Sequence, residues 1–212
     1  MSIGNLPNFT GIIAQRDMNC LLKESLLSVS HDDFEILDQT TQTQIFQIKR
    51  QLMAMVKQTK YLYDTNGNCI WILKNPIFKL FHRKYKVYDS RNNLLFTVRS
   101  HFRLPGKGKH LTVDLNDGSV IRSRGNFFDR SADICLVTPD NREVIMASIT
   151  KPLVSVRGMI TGLSGYTIRI RQGADVPLCL AFGTILDEER ENESLFGAGK
   201  KISAVHGMMG GV

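Results

Sequence analysis

The stretch from 176 to 186, Val-Pro-Leu-Cys-Leu-Ala-Phe-Gly-Thr-Ile-Leu, is the one long apolar run in the chain. As a helix it would be greasy on every side, and eleven residues reach only about 16 Å. A bilayer crossing needs roughly 20 apolar residues, so this surface has to hide inside protein. The segments before it alternate like β-strands. Closing them around the helix fills the lumen, leaves no interior chamber for a substrate and moves function to the outer surface.

Turn signals recur about every 25 residues: Asp38 to Thr41, Asp64 to Asn68, Asp89 to Asn93, Asn116-Asp117-Gly118 and Pro139 to Arg142. Each is flanked by period-two segments rich in β-branched and aromatic residues, the pattern of a β-hairpin. Asn66-Gly67 and Asp117-Gly118 are the sharpest, because glycine accepts the positive φ of a tight turn. No unit contains a helix, so antiparallel pairing into a meander or barrel fits better than a solenoid. Closure also removes exposed edges. The segment Gly162 to Ile170 supplies the last strand.

Asp175 is a good N-cap for the final helix, and Pro177 stands in its first turn, where a missing N–H is harmless. Gly183 in mid-helix costs about 1 kcal/mol relative to Ala, reasonable where a strand passes too close for a side chain. Beyond Leu186, the acids Asp187, Glu188, Glu189 and Glu191 are expected to carry the helix into water. They oppose the helix dipole there, but burial of Leu178, Leu180, Phe182, Ile185 and Leu186 outweighs them at roughly 1.5–3 kcal/mol each. The expected organisation is a loosely held segment over 1–18, one barrel domain over 19–190 with its helix at about 175–190, and a Gly-rich tail over 191–212.

Charge is uneven. Of a net +7, the window from Lys74 to His110 alone contributes +9, with ten Lys or Arg against Asp89. A concentrated field of this kind attracts phosphates. In the strand Lys84 to Tyr88, Tyr85 and Val87 share one face and Lys84 and Lys86 the other; if the first pair faces the helix, the lysines face water. Arg83 lies at the adjoining turn, with Lys79 just upstream, and Arg103, Lys107 and Lys109 stand in another basic loop. Together Lys79, Arg83, Lys84, Lys86, Arg103, Lys107 and Lys109 are the candidate anion site, suited to lipid head groups at about 1 kcal/mol per charge near a membrane. Nucleic-acid phosphates would answer the same field, with Phe102, Phe127 and Phe128 near basic residues for stacking. A protein-interaction scaffold is the further alternative.

Other chemistry finds little support in the residues. Cys20, Cys69, Cys135 and Cys179 form no C-x-x-C and have no histidine at zinc-ligand spacing; Cys69 and Cys179 read as small core residues. Trp71, between Ile70 and Ile72, reads as packed inside or between strands. The five histidines are scattered, and Gly197 to Lys201 lacks the spacing of a phosphate loop. A monomeric, noncatalytic chain without metal or cofactor is expected. No secretory signal is evident, which points to a cytoplasmic setting, peripheral at membranes or nuclear.

With hairpins and terminal helix in view, the chain resembles the LURP-one-related family of the tubby C-terminal-like superfamily, which also takes in the phospholipid scramblases. The likeness rests on Ser25 to Asp32, on Tyr63 to Asn68, on Ile77 to Tyr88, and on Ala174 to Glu189 with its closing Ile-Leu-Asp-Glu. It covers about residues 19–190. The resemblance implies a twelve-stranded antiparallel closed barrel around a hydrophobic C-terminal helix. It implies roles in defence, phosphoinositide binding, transcription or lipid movement, according to the relative. A Pro-rich N-terminal arm, a palmitoylation cysteine cluster, an acidic calcium loop and a spanning tail are absent from the sequence, which argues against scramblase activity.

Overall fold

The computed structural model describes residues 6–24, 33–53, 57–76, 83–101, 110–126, 131–150 and 165–189. It contains β1 Met18–Glu24, β2 Phe34–Asp38, β3 Gln44–Met53, β4 Lys57–Asp64, β5 Cys69–Pro76 and β6 Lys84–Tyr88. After these come β7 Leu94–His101, β8 His110–Asp114, β9 Val120–Asn126, β10 Ser131–Val137, β11 Glu143–Thr150 and β12 Gly165–Ile170. Each strand pairs antiparallel with its sequence neighbours, and β1 pairs with β12 from Met18↔Ile170 to Lys23↔Gly165, so the sheet is a closed barrel.

The turns explain this order. Asp64 Oδ1 accepts the Asn66 and Asn68 amides and its Oδ2 accepts Asn68 Nδ2, while Gly67 takes φ 81°. Asp89 repeats the device with the Arg91 and Asn93 amides, and Asn92 takes the left-handed position at φ 66°. Asx bonding of this kind closes the turn locally before any core forms. The Asn68 side chain first, and the Asn93 side chain likewise, hold the Asp64 and Asp89 carboxyls below their ordinary value.

Helix α1, residues 176–189, runs inside the barrel and is buried along its whole length. Leu178, Leu180, Phe182 and Ile185 are fully enclosed by inward side chains such as Trp71, Leu73, Tyr85, Val98, Ile121 and Ile168. Trp71 Nε1 donates to the Pro177 carbonyl at 3.0 Å, so the inward position foreseen for this ring also satisfies a backbone acceptor. A Cβ on Gly183 would stand 2.5 Å from Ile168 Cδ1 and 3.2 Å from Tyr166 Cε2, which is the close strand approach its position implied.

One expectation fails here. Asp187, Glu188 and Glu189 do not enter water: they are 6%, 5% and 2% exposed. Lys60 Nζ lies 2.8 Å from Glu188 Oε1, and Asn75 Nδ2 donates to Glu188 Oε2 at 2.8 Å. The Tyr85 hydroxyl donates to Glu189 Oε1 at 2.5 Å, with Arg83 Nη1 4.0 Å from the same oxygen. Inward cations of the barrel wall thus neutralise acids that the helix dipole alone would disfavour. Burial first, then the two glutamates, pushes the Tyr85 phenol well above its usual range.

Residues 6–17 are stitched to the helix entry. Asp175 Oδ2 accepts the Phe9 and Thr10 amides, and Oδ1 accepts the Thr10 hydroxyl and the Leu178 amide. The N-cap is therefore real, and the same carboxylate also holds the N-terminal strap. Backbone bonds from Ala14 to Ala174 and from Val176 to Ile12 complete the seam. The tail over 191–212 lies outside the described residues. Cys179 is a core residue as read, whereas Cys69 is half-buried; Cys20 and Cys135 are buried instead.

Candidate functional site

Alternation along β6 decides what the outer surface offers. Tyr85 and Val87 are buried against the helix side of the wall, while Lys84 and Lys86 are exposed. Register then adds neighbours that local sequence does not show. Lys86 stands directly opposite Lys74 on β5, and Lys84 opposite Arg99 on β7. The second row continues from Arg99 to Thr112 on β8 and from Thr112 to Arg122 on β9. Like charges placed directly opposite on a sheet are destabilising, by roughly 0.2–1 kcal/mol per pair. Two such pairs side by side form a cationic surface that the fold itself does not need.

The acids around this surface divide it. Arg99 is ion-paired with Asp114 across β7 and β8. Further round, Arg122 and Arg124 share Glu143, and Arg124 also reaches Asp133 at 3.1 Å. The Cys135 thiol first, then these arginines, hold the Glu143 carboxyl below its ordinary value. Lys74 is steadied without being neutralised: its Nζ donates to Asn92 Oδ1 at 2.6 Å and lies 4.3 Å from the Tyr88 ring centroid. Among the described residues, Lys74, Lys84 and Lys86 have no carboxylate within ion-pair distance, and they form the part of the field open to an outside anion.

The sequence candidates scatter when placed. Lys84 and Lys86 are where alternation put them. Arg83 is a correction: it is 8% exposed and its guanidinium turns inward toward Glu189, because its register places it on the Tyr85 face of the wall. Lys79, Arg103, Lys107 and Lys109, with Phe102, Phe127 and Phe128, lie outside the described residues. Lys74 and Arg99 lie in the same basic window, and only strand register reveals them as neighbours of the two lysines.

Two further features border the surface. His101 and His110 are cross-strand partners with rings stacked at 4.9 Å, and His101 Nε2 is 2.8 Å from Thr112 Oγ1. Among the described residues β7 pairs with β8 from Arg99 to His101, and beyond Arg99 a surface cavity of about 270 Å³ opens between Thr97, Arg99 and Asp114. Among the described residues no group of three or more His, Cys, Asp or Glu side chains could hold a metal ion, and no helix is long and apolar enough to cross a membrane.

A family model described as LURP-one-related matches residues 18–187, from the first residue of β1 into the last turn of α1. No curated protein and no solved structure matches the chain.

Proposed function

This chain belongs to the LURP-one-related family, and we propose that it is a noncatalytic member that binds anionic phospholipid head groups, phosphoinositides foremost, through the outer face of β5–β7. The observation that carries the reading is the pair of opposed cation couples, Lys74 with Lys86 and Lys84 with Arg99. Three lysines over adjacent strands, with Arg99 beside them but shared by Asp114, match a ring carrying several phosphates better than a single phosphate, and lysine near an anionic membrane contributes about 1 kcal/mol each. The noncatalytic part rests on the helix: its side chains occupy the lumen where barrels of this kind would otherwise hold a reactant.

Liposome sedimentation at two salt concentrations tests the reading. Phosphoinositide vesicles should retain the protein at low salt, release it as salt screens the cations, and lose it with Lys84→Glu/Lys86→Glu. A folded double variant that sediments like the wild type would remove the site. Retention by oligonucleotides with no retention by vesicles would replace the lipid reading with a nucleic-acid one.

A further inference from the structure

Next to the cation couples runs a row of different chemistry. Lys49 on β3 pairs with Tyr61, Tyr61 with Ile72, Ile72 with Tyr88 and Tyr88 with Leu94, so one continuous cross-strand row spans β3 to β7. Tyr61, Ile72 and Tyr88 are half-buried. Leu94, at 53% exposure, is the large hydrophobic side chain left open to solvent among the described residues. The next row along the same strands is Thr59, Lys74, Lys86 and Thr97, two residues and therefore about 7 Å away on β4, β5 and β6, and three residues away on β7, where the register shifts opposite Tyr88.

We propose that the row Tyr61, Ile72, Tyr88 and Leu94 seats the barrel in the interfacial layer of an anionic bilayer, with Lys74 and Lys86 at the level of the lipid phosphates. This rests on the head-group reading and adds to it the depth and orientation of docking. Tyrosine suits that layer because its ring is apolar and its hydroxyl is wet, which is why aromatic residues collect at membrane interfaces. Lysine stems can lie along apolar surface while the ammonium reaches outward, and the Lys74 ammonium, 4.3 Å from the Tyr88 ring centroid, already stands where the two rows meet. Charge selects the occupant: an apolar strip bordered on one side by the cation row and ended by Lys49 complements a surface that is apolar below and negative above. An uncharged protein partner would leave those lysines unanswered.

The test separates depth from charge. The chain carrying Tyr61→Ser/Tyr88→Ser/Leu94→Ser is compared with wild type on phosphatidylcholine vesicles containing phosphatidylinositol bisphosphate, and on soluble inositol trisphosphate. Vesicle affinity should fall about tenfold or more, equivalent to losing about 1.4 kcal/mol of apolar burial, while affinity for the soluble head group stays unchanged. Equal vesicle affinity in a folded triple variant overturns the docking row and leaves the head-group reading intact. Wild type that binds neither probe overturns both. Should the triple variant fail to fold, Leu94→Trp serves: brominated acyl chains should quench its emission, since Trp71 is fully buried, and unquenched emission overturns the proposal. Stacking of oligothymidylate on the tyrosines without vesicle binding also overturns it.

Discussion

Trp71 and Pro177 are joined by a hydrogen bond between an indole N–H on the barrel wall and a carbonyl in the first turn of the enclosed helix, 3.0 Å long and fully buried. It fixes the axial position of the helix, because a shift by one turn would leave the indole N–H unpaired in an apolar surround. Trp71→Phe keeps the ring and removes the donor. Denaturant unfolding should show a loss of about 0.5–1.5 kcal/mol, the net worth of one buried hydrogen bond, since the Pro177 carbonyl keeps its place in the helix ladder; an unchanged midpoint would mean that this bond does not help to hold the helix.

Glu188 and Lys60 make a buried ion pair at 2.8 Å, and breaking it should be far worse than replacing it. Glu188→Ala leaves a charged lysine inside the barrel and should cost about 3–5 kcal/mol. Lys60→Met/Glu188→Leu removes both charges and should recover most of that loss. Chemical denaturation of the single and double variants checks the pair; additive losses would show that the two side chains are not coupled.

Gly183 sets the distance between helix and β12. Gly183→Ala gains about 1 kcal/mol of helix propensity, but its methyl meets Ile168 Cδ1 at 2.5 Å. Overpacking should prevail and destabilise the fold by about 1–3 kcal/mol. Ile168→Val deletes the offending carbon, so the double variant should be more stable than the glycine substitution alone. Thermal unfolding of the four-member cycle reads this coupling, and strict additivity would contradict the clash.

Asp175 serves two segments at once, capping the helix through Leu178 and tying down Phe9 and Thr10. Asp175→Ala should cost at least the roughly 0.5–2 kcal/mol of an N-cap. It should also raise amide hydrogen exchange at Phe9 and Thr10, well away in sequence. Unchanged exchange there would separate the strap from the cap.

Acid should act through the turns. The carboxyls of Asp64 and Asp89 are held below their ordinary 3.8, first by the Asn68 and Asn93 side chains. A depressed carboxyl stabilises the fold at pH values above its unfolded value, and that contribution is lost as pH falls through the folded value. Stability attributable to these turns should therefore be level above about pH 5 and decline below pH 4. Asp64→Asn should make this acid decline shallower in a pH series of unfolding midpoints; an identical slope would contradict the role given to Asp64.

Much of this architecture is legible in the chain because its determinants are local. Asp64 to Asn68 and Asp89 to Asn93 carry their own turn chemistry, and the run from Val176 to Leu186 states its need for enclosure. What stays hidden depends on partners remote in sequence. Glu188 looks like a solvated helix end until Asn75, 113 positions earlier, is seen to meet it. The strap over 6–17 has no periodicity because backbone bonds and Asp175 fix its path, and Leu6, Phe9, Ile12 and Ala14 meet the core at irregular spacing. On the outer surface, alternation exposes Lys84 and Lys86, but only register brings Lys74 and Arg99 beside them and turns Arg83 inward.

The most direct measurement of the central claim is a backbone NMR titration of the intact chain with soluble inositol trisphosphate. Shifts should concentrate at Lys74, Lys84, Lys86, Thr97 and Arg99 and vanish with Lys84→Glu/Lys86→Glu. Shifts confined to other parts of the barrel, or none at millimolar ligand, would contradict a head-group site on β5–β7.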